Sequence, residues 1–131
     1  MKRLLSIFVI AVLFVVLAGC EKPEEKAEDR YYVKYEVSIV GGITYSDIYV
    51  TVNTEKGVES FFAKGGTFSE TFGPVNHDFV AKIKAYTTRY SKLYIRIYAC
   101  KGEESFVLKK TVTKDYAEEN SPAEAEYRID F

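Results

Sequence analysis

From Tyr31 to Phe131, apolar and polar residues alternate with period two in nearly every segment, and no stretch keeps the i, i+3, i+4 spacing of an amphipathic helix. Short alternating runs separated by Gly, Pro and Asn predict an all-β chain. Val33, Tyr35, Val37 and Ile39 share one face of the first run, and Tyr32, Lys34, Glu36 and Ser38 the other, until Gly41-Gly42 ends it. In the next run Ile43 and Tyr45 are in odd phase and Ile48, Val50 and Val52 in even phase. One inserted residue would produce that flip, so a bulge or bend is expected near Ser46-Asp47. A turn over Asn53 to Gly57 leads to a short strand from Val58 to Ala63. After Gly65-Gly66 comes a strand from Thr67 to Phe72, with Phe68 and Phe72 expected inward.

Gly73-Pro74 reads as a corner. Beyond it Phe79, Ala81, Ile83 and Ala85 alternate with Val80, Lys82, Lys84 and Tyr86. Leu93, Ile95, Ile97 and Ala99 then alternate with Tyr94, Arg96, Tyr98 and Cys100. Lys101-Gly102-Glu103-Glu104 turns this strand into Ser105 to Val112, the clearest hairpin in the chain. Residues 113 to 123 are polar, with room for a short helix at 114 to 119, and Ala125, Tyr127, Ile129 and Phe131 close the chain as a last strand. Seven or eight short strands with turns every eight to twelve residues predict an antiparallel β-sandwich of immunoglobulin-like type over 31–131. Strand counting leaves a closed barrel as the alternative.

The first 30 residues have a different character. Met1-Lys2-Arg3 is a basic start, and Leu4 to Ala18 is apolar except for Ser6, too short for a comfortable membrane span. It ends in Leu17-Ala18-Gly19-Cys20, which resembles the lipobox of bacterial lipoproteins. That resemblance implies cleavage between Gly19 and Cys20, lipidation of the Cys20 thiol, and removal of residues 1–19 as a signal peptide. Several acyl chains, at about 0.8 kcal/mol per buried methylene, anchor a protein durably where one chain does not. Residues 20–30, with eight charges in the last ten, cannot bury enough surface to fold and read as an acidic flexible tether. Lys22 followed by Glu24-Glu25 is similar to the surface-export signal of Bacteroidota lipoproteins, with Pro23 interposed. Glu21 is not the Asp associated with inner-membrane retention in enterobacterial lipoproteins. An outer-membrane lipoprotein is implied, facing the cell surface rather than the periplasm.

Within the domain, Tyr32 to Val37, Ile43-Thr44-Tyr45, Gly73-Pro74-Val75, Phe79-Val80-Ala81 and Ile95 to Tyr98 resemble small immunoglobulin-like lipoproteins of gut Bacteroidota. They are distantly similar to the mycobacterial small membrane-protein family, from which this chain departs in having a lipobox instead of a membrane helix and no Trp at the corner. Both resemblances imply a sandwich and an envelope role, and neither transfers catalytic residues.

Composition narrows the chemistry. The formal charge of −1 falls by two further units when Lys2 and Arg3 leave with the leader, which removes the electrostatic motive for nucleic acid. One His, and one Cys once Cys20 is lipidated, cannot assemble the usual zinc site, and neither a metal nor another cofactor is expected. Cys100 is expected to be a buried structural thiol. His77 lies in a loop with no nucleophile elbow near it in sequence. Asp47, Glu59, Glu70 and Asp78 fall at turns or on wet faces, Gly41-Gly42 and Gly65-Gly66 suit turns rather than a phosphate cradle, and no calcium-loop pattern occurs.

What remains is tyrosine. Of eleven, Tyr32, Tyr49, Tyr86, Tyr94 and Tyr98 fall opposite the core, interleaved with Lys34, Lys82, Lys84 and Arg96. Such faces arise from cross-strand stacking, and they also suit recognition of a protein or a glycan. Tyr94, Arg96, Tyr98 and Tyr86 form the candidate binding face. The expectation is a monomeric, non-catalytic, lipid-anchored binding module, with a small hydrolase or enzyme-accessory subunit as the alternative.

Overall fold

A computed structural model describes residues 30–131; the leader, Cys20 and all of the tether except Arg30 lie outside the described residues. Eight antiparallel strands follow in order: β1 (Tyr31–Gly42), β2 (Ile48–Thr54), β3 (Gly57–Ala63), β4 (Thr67–Val75), β5 (Val80–Thr87), β6 (Ser91–Lys101), β7 (Val107–Lys114) and β8 (Ala123–Arg128). They form two four-stranded sheets, β4-β1-β6-β7 and β3-β2-β5-β8, called the first and second sheet below. No ladder joins the sheets, which decides for a sandwich over a barrel. β1 lies inside its sheet between β4 and β6, where the constant-type immunoglobulin order puts the first strand at an edge.

The two-residue alternation buries one face of each sheet. Val33, Tyr35, Val37, Leu93, Ile95 and Ile97 of the first sheet meet Ile48, Val50, Val52 and Ile83 of the second, all at most 1% exposed. The second sheet also supplies Ala81, Ala85, Ala123 and Ala125, small residues that let the bulkier first sheet approach to a normal sandwich spacing of about 10 Å. Burying each of the larger aliphatic side chains is worth about 1.5–3 kcal/mol. Because the fully buried core draws on six of the eight strands, with β3 and β7 adding half-buried side chains, no hairpin can hold its share of it alone.

Several sequence expectations change. Ile43 to Asp47 is a loop, and the phase flip there arises because the chain leaves one sheet for the other, with no bulge needed. Gly73-Pro74 does not end its strand. It sits inside β4, where Gly73 and Pro74 together oppose the single residue Tyr32, between the pairs Tyr31–Val75 and Val33–Phe72, so the bulge belongs here. The chain turns afterwards, over residues 76–79. Residues 115–122 form turns closed by a Glu118–Ser121 bridge, with Ala117 buried beneath, and not a helix.

Strand directions sort the connections onto two ends. The start of β1, the β2–β3 turn, the β4–β5 turn, the β6–β7 connection and the C-terminus share one end. There Gly102 N donates to Arg30 O (2.7 Å) and the Tyr31 hydroxyl donates to Phe131 O (2.6 Å), fixing both chain ends. The β1–β2, β3–β4, β5–β6 and β7–β8 connections occupy the opposite end.

Candidate functional site

Tyr94, Arg96 and Tyr98 lie together on the outer face of the first sheet, as their shared phase on β6 requires. Register places Lys34 opposite Tyr98, Glu36 opposite Arg96 and Ser38 opposite Tyr94. Glu36 accepts from Arg96 Nη2 (3.0 Å) and pairs with Lys34 (3.6 Å). Lys34 Nζ sits 4.6 Å from the centre of the Tyr98 ring, and the Arg96 guanidinium 5.2 Å from that of Tyr94. Burial, and then the Glu36 carboxylate, push the Tyr98 hydroxyl pKa up. These side chains are half-buried and engaged with one another, a cross-strand network in which two cations share the one carboxylate of Glu36. Thr71 and Ser69 on β4, and Thr111 and Thr113 on β7, flank it.

Tyr86 does not join them. It lies on the outer face of the second sheet, stacked on Tyr49 at 5.0 Å between ring centres and 11° between planes, and Tyr49 packs on Phe62 at 5.1 Å. The four candidate residues are thus divided between opposite sides of the sandwich. The outer phase assigned to Tyr32, Tyr49, Tyr86, Tyr94 and Tyr98 holds for all five.

The most exposed tyrosines are elsewhere. Tyr45 (70% exposed), Tyr90 (61%) and Tyr116 (50%) project from the β1–β2, β5–β6 and β7–β8 connections, at the end remote from Tyr31. The loops under them are tied together. Ile43 N donates to Tyr90 O (2.9 Å), Ser91 Oγ to Ile43 O (3.0 Å), Thr87 N to Ala117 O (2.9 Å) and Thr87 Oγ1 to Arg89 O (2.7 Å). The Tyr90 and Tyr116 rings meet edge to face at 4.3 Å with their hydroxyls in contact, and Arg89 lies over the Tyr45 ring at 5.7 Å. Beside the pair is an open hollow of about 320 Å³, floored by Gly41-Gly42 and rimmed by Lys92 and Asp115, which pair at 3.3 Å. Rigid loops presenting amphipathic rings next to polar rims suit recognition. Sequence reasoning missed this cluster, because Tyr45 read as a strand residue, Tyr90 as unassigned loop and Tyr116 as part of the possible short helix at 114 to 119. The available signal was a large aromatic within a polar turn segment, in Thr88-Arg89-Tyr90 and Lys114-Asp115-Tyr116.

The acid–base candidates are dispersed. His77 Nδ1 is 3.3 Å from Asp78 Oδ2, both side chains more than half exposed, at the end where β1 starts. Asp47 is at the other end, Glu59 is on β3 and Glu70 on β4. Among the described residues no three His, Cys, Asp or Glu side chains gather as a metal site would need. Cys100 is buried and unpaired there, and burial pushes its thiol pKa up. Comparison with protein-family models, curated proteins and solved structures finds no match to this chain.

Proposed function

We propose that this protein is a lipid-anchored, non-catalytic envelope module that binds a protein or glycan partner through the loop end carrying Tyr45, Tyr90 and Tyr116. One observation carries the reading. The chain enters the sandwich at Tyr31, so a lipid on Cys20 and an acidic tether would hold one end, while the exposed tyrosines stand at the other. The lipobox supports anchorage in the outer membrane, and the Lys22-Pro23-Glu24-Glu25 segment supports the cell surface over the periplasmic face. Large rings on fixed loops supply contact area at little entropic cost.

The test is capture of envelope proteins and binding to a glycan array by residues 20–131 carrying Cys20→Ser. Tyr90→Ala/Tyr116→Ala is expected to abolish whatever the parent chain binds. Undiminished binding by that variant, with loss in Tyr94→Ser/Tyr98→Ser, would move the site to the outer face of the first sheet. That face is the second reading, favoured by the continuity of Tyr94, Arg96 and Tyr98 across it.

A further inference from the structure

The four edge strands are not equally protected against pairing with another chain. β7 carries Lys109, Lys110 and Lys114 and a register break, β8 carries Glu124, Glu126 and Arg128, and β4 is bent at Gly73-Pro74. Charge, Pro and bulges are the usual means of blunting a sheet edge. β3 has a regular register, no Pro and one charged residue, Glu59. It also exposes Val58 (70%) and Phe62 (49%) on the outer face of its sheet.

Its free backbone groups can be assigned. Thr54 and Gly57 face each other across a two-residue turn, so they are a hydrogen-bonded pair, and alternation makes Val52–Glu59 and Val50–Phe61 bonded pairs as well. Val58, Ser60 and Phe62 therefore direct their N–H and C=O groups away from β2, and no described backbone group receives them. The spacing of these three is symmetric about Ser60.

We infer that β3 is a homodimerisation edge, pairing antiparallel with β3 of a second copy about a two-fold axis at Ser60. In that register Ser60 faces Ser60, and Val58 of each copy faces Phe62 of the other, covering both exposed apolar side chains. These are also the positions whose backbone groups point outward, so every new pair is hydrogen-bonded. A register moved by one residue at the axis, to Glu59 or Phe61, no longer sets Val58 against Phe62. The two sheets join into one of eight strands, and a monomer, the sequence expectation, is replaced by a symmetric pair. The tether ends of the two copies then lie at opposite ends of the dimer. The eleven residues from Cys20 to Arg30 reach at most about 36–40 Å, about the length of β1, so both lipids can enter one bilayer with the strands lying along it. The loop ends then point sideways, clear of the membrane. The inference stands on β3 alone and does not depend on the binding role of those loops.

Analytical ultracentrifugation of residues 20–131 with Cys20→Ser tests it. A concentration-dependent dimer is expected, tightening with added salt because Lys56 faces Lys64 of the second copy just beyond each end of the paired strands. Ser60→Lys sets two like charges at the axis and should weaken association at least tenfold, as should Phe62→Lys, whereas Thr111→Lys on β7 should not. Circular dichroism confirms that each variant is folded. Mixing Ser60→Lys with Ser60→Glu should restore a dimer containing one of each. A chain that stays monomeric overturns the inference, even if its edge captures a synthetic peptide of residues 57–63. So does a dimer indifferent to Ser60→Lys, or a mixture that does not pair.

Discussion

The Tyr35 hydroxyl, at the end of a side chain with no solvent exposure, donates to the Asn53 carbonyl at 2.7 Å across the gap between the two sheets. Asn53 Nδ2 in turn donates to Val80 O at 3.2 Å, so a chain of hydrogen bonds runs from β1 through β2 to β5. The sheets share no ladder, and this polar link crosses an interface filled mainly by apolar packing, aliphatic at its centre and aromatic where Phe61 meets Phe68 and Phe72. The ring contributes area to the core and the hydroxyl fixes how the two layers sit.

Tyr35→Phe keeps the ring and removes the donor. A loss of about 1–3 kcal/mol in unfolding free energy is expected, since the Asn53 carbonyl loses its partner inside the sandwich. Urea denaturation at neutral pH measures it, and an unchanged midpoint would mean that the link carries no stability.

Alkali should weaken the fold. Burial pushes the Tyr35 pKa well above its ordinary value near 10, and burial followed by the hydrogen bond to Asp130 pushes Tyr127 up to about 12. For both groups the unfolded chain releases its proton first, so the folded state binds more protons at high pH. Stability is therefore full below pH about 10 and falls as pH rises past it, by about 1.4 kcal/mol per pH unit for the buried Tyr35. Urea midpoints measured on either side of that pH should separate, and the separation should shrink in Tyr35→Phe.

Cys100 should be chemically silent in the folded protein. It is 4% exposed, and burial disfavours the thiolate that reacts. In the Cys20→Ser chain, an aromatic disulfide reagent should modify nothing until denaturant is added, and then one thiol per chain. Rapid modification without denaturant would contradict the burial described.

Gly42 and Gly66 hold the loop end in backbone conformations of positive φ, 80° and 81°. A Cβ on Gly42 would lie 2.5 Å from Tyr90 O, and one on Gly66 would strike Thr44 O. Each Gly→Ala change should cost more than about 1 kcal/mol. Gly42→Ala should also weaken partner capture, because it displaces the loop that carries Tyr90. Thermal melts and the capture assay read the two effects separately.

The two tyrosine groups should differ in what they do for stability. Tyr94→Ser/Tyr98→Ser dismantles the stacking around Lys34 and Arg96 and should cost about 1–2 kcal/mol. Tyr90→Ala/Tyr116→Ala removes mostly exposed rings and should cost less than about 0.5 kcal/mol. Paired denaturation curves decide, and equal costs would mean that the loop pair is structural too.

The alternation of side chains was enough to determine most of the strands and which way each faces. Val33-Tyr35-Val37, Ile48-Val50-Val52 and Leu93-Ile95-Ile97 all point inward as their phase requires, because a pleated strand with one wet face allows no other arrangement. Which strands neighbour each other depends on contacts between residues far apart in the chain, and local pattern carries no record of those. Hence the flip before Ile48 read as a bulge when it marks a change of sheet, and the bulge at Gly73-Pro74 read as a corner. The same limit divided the candidate site. Phase alone put Tyr86 with Tyr94 and Tyr98 on the non-core side of their strands, but a sandwich has two such sides, and β5 and β6 belong to different ones. Tertiary structure gathered Tyr45, Tyr90 and Tyr116 from three separate loops at one end, left β3 as the least protected edge, and set both apart from the point where the chain enters the domain.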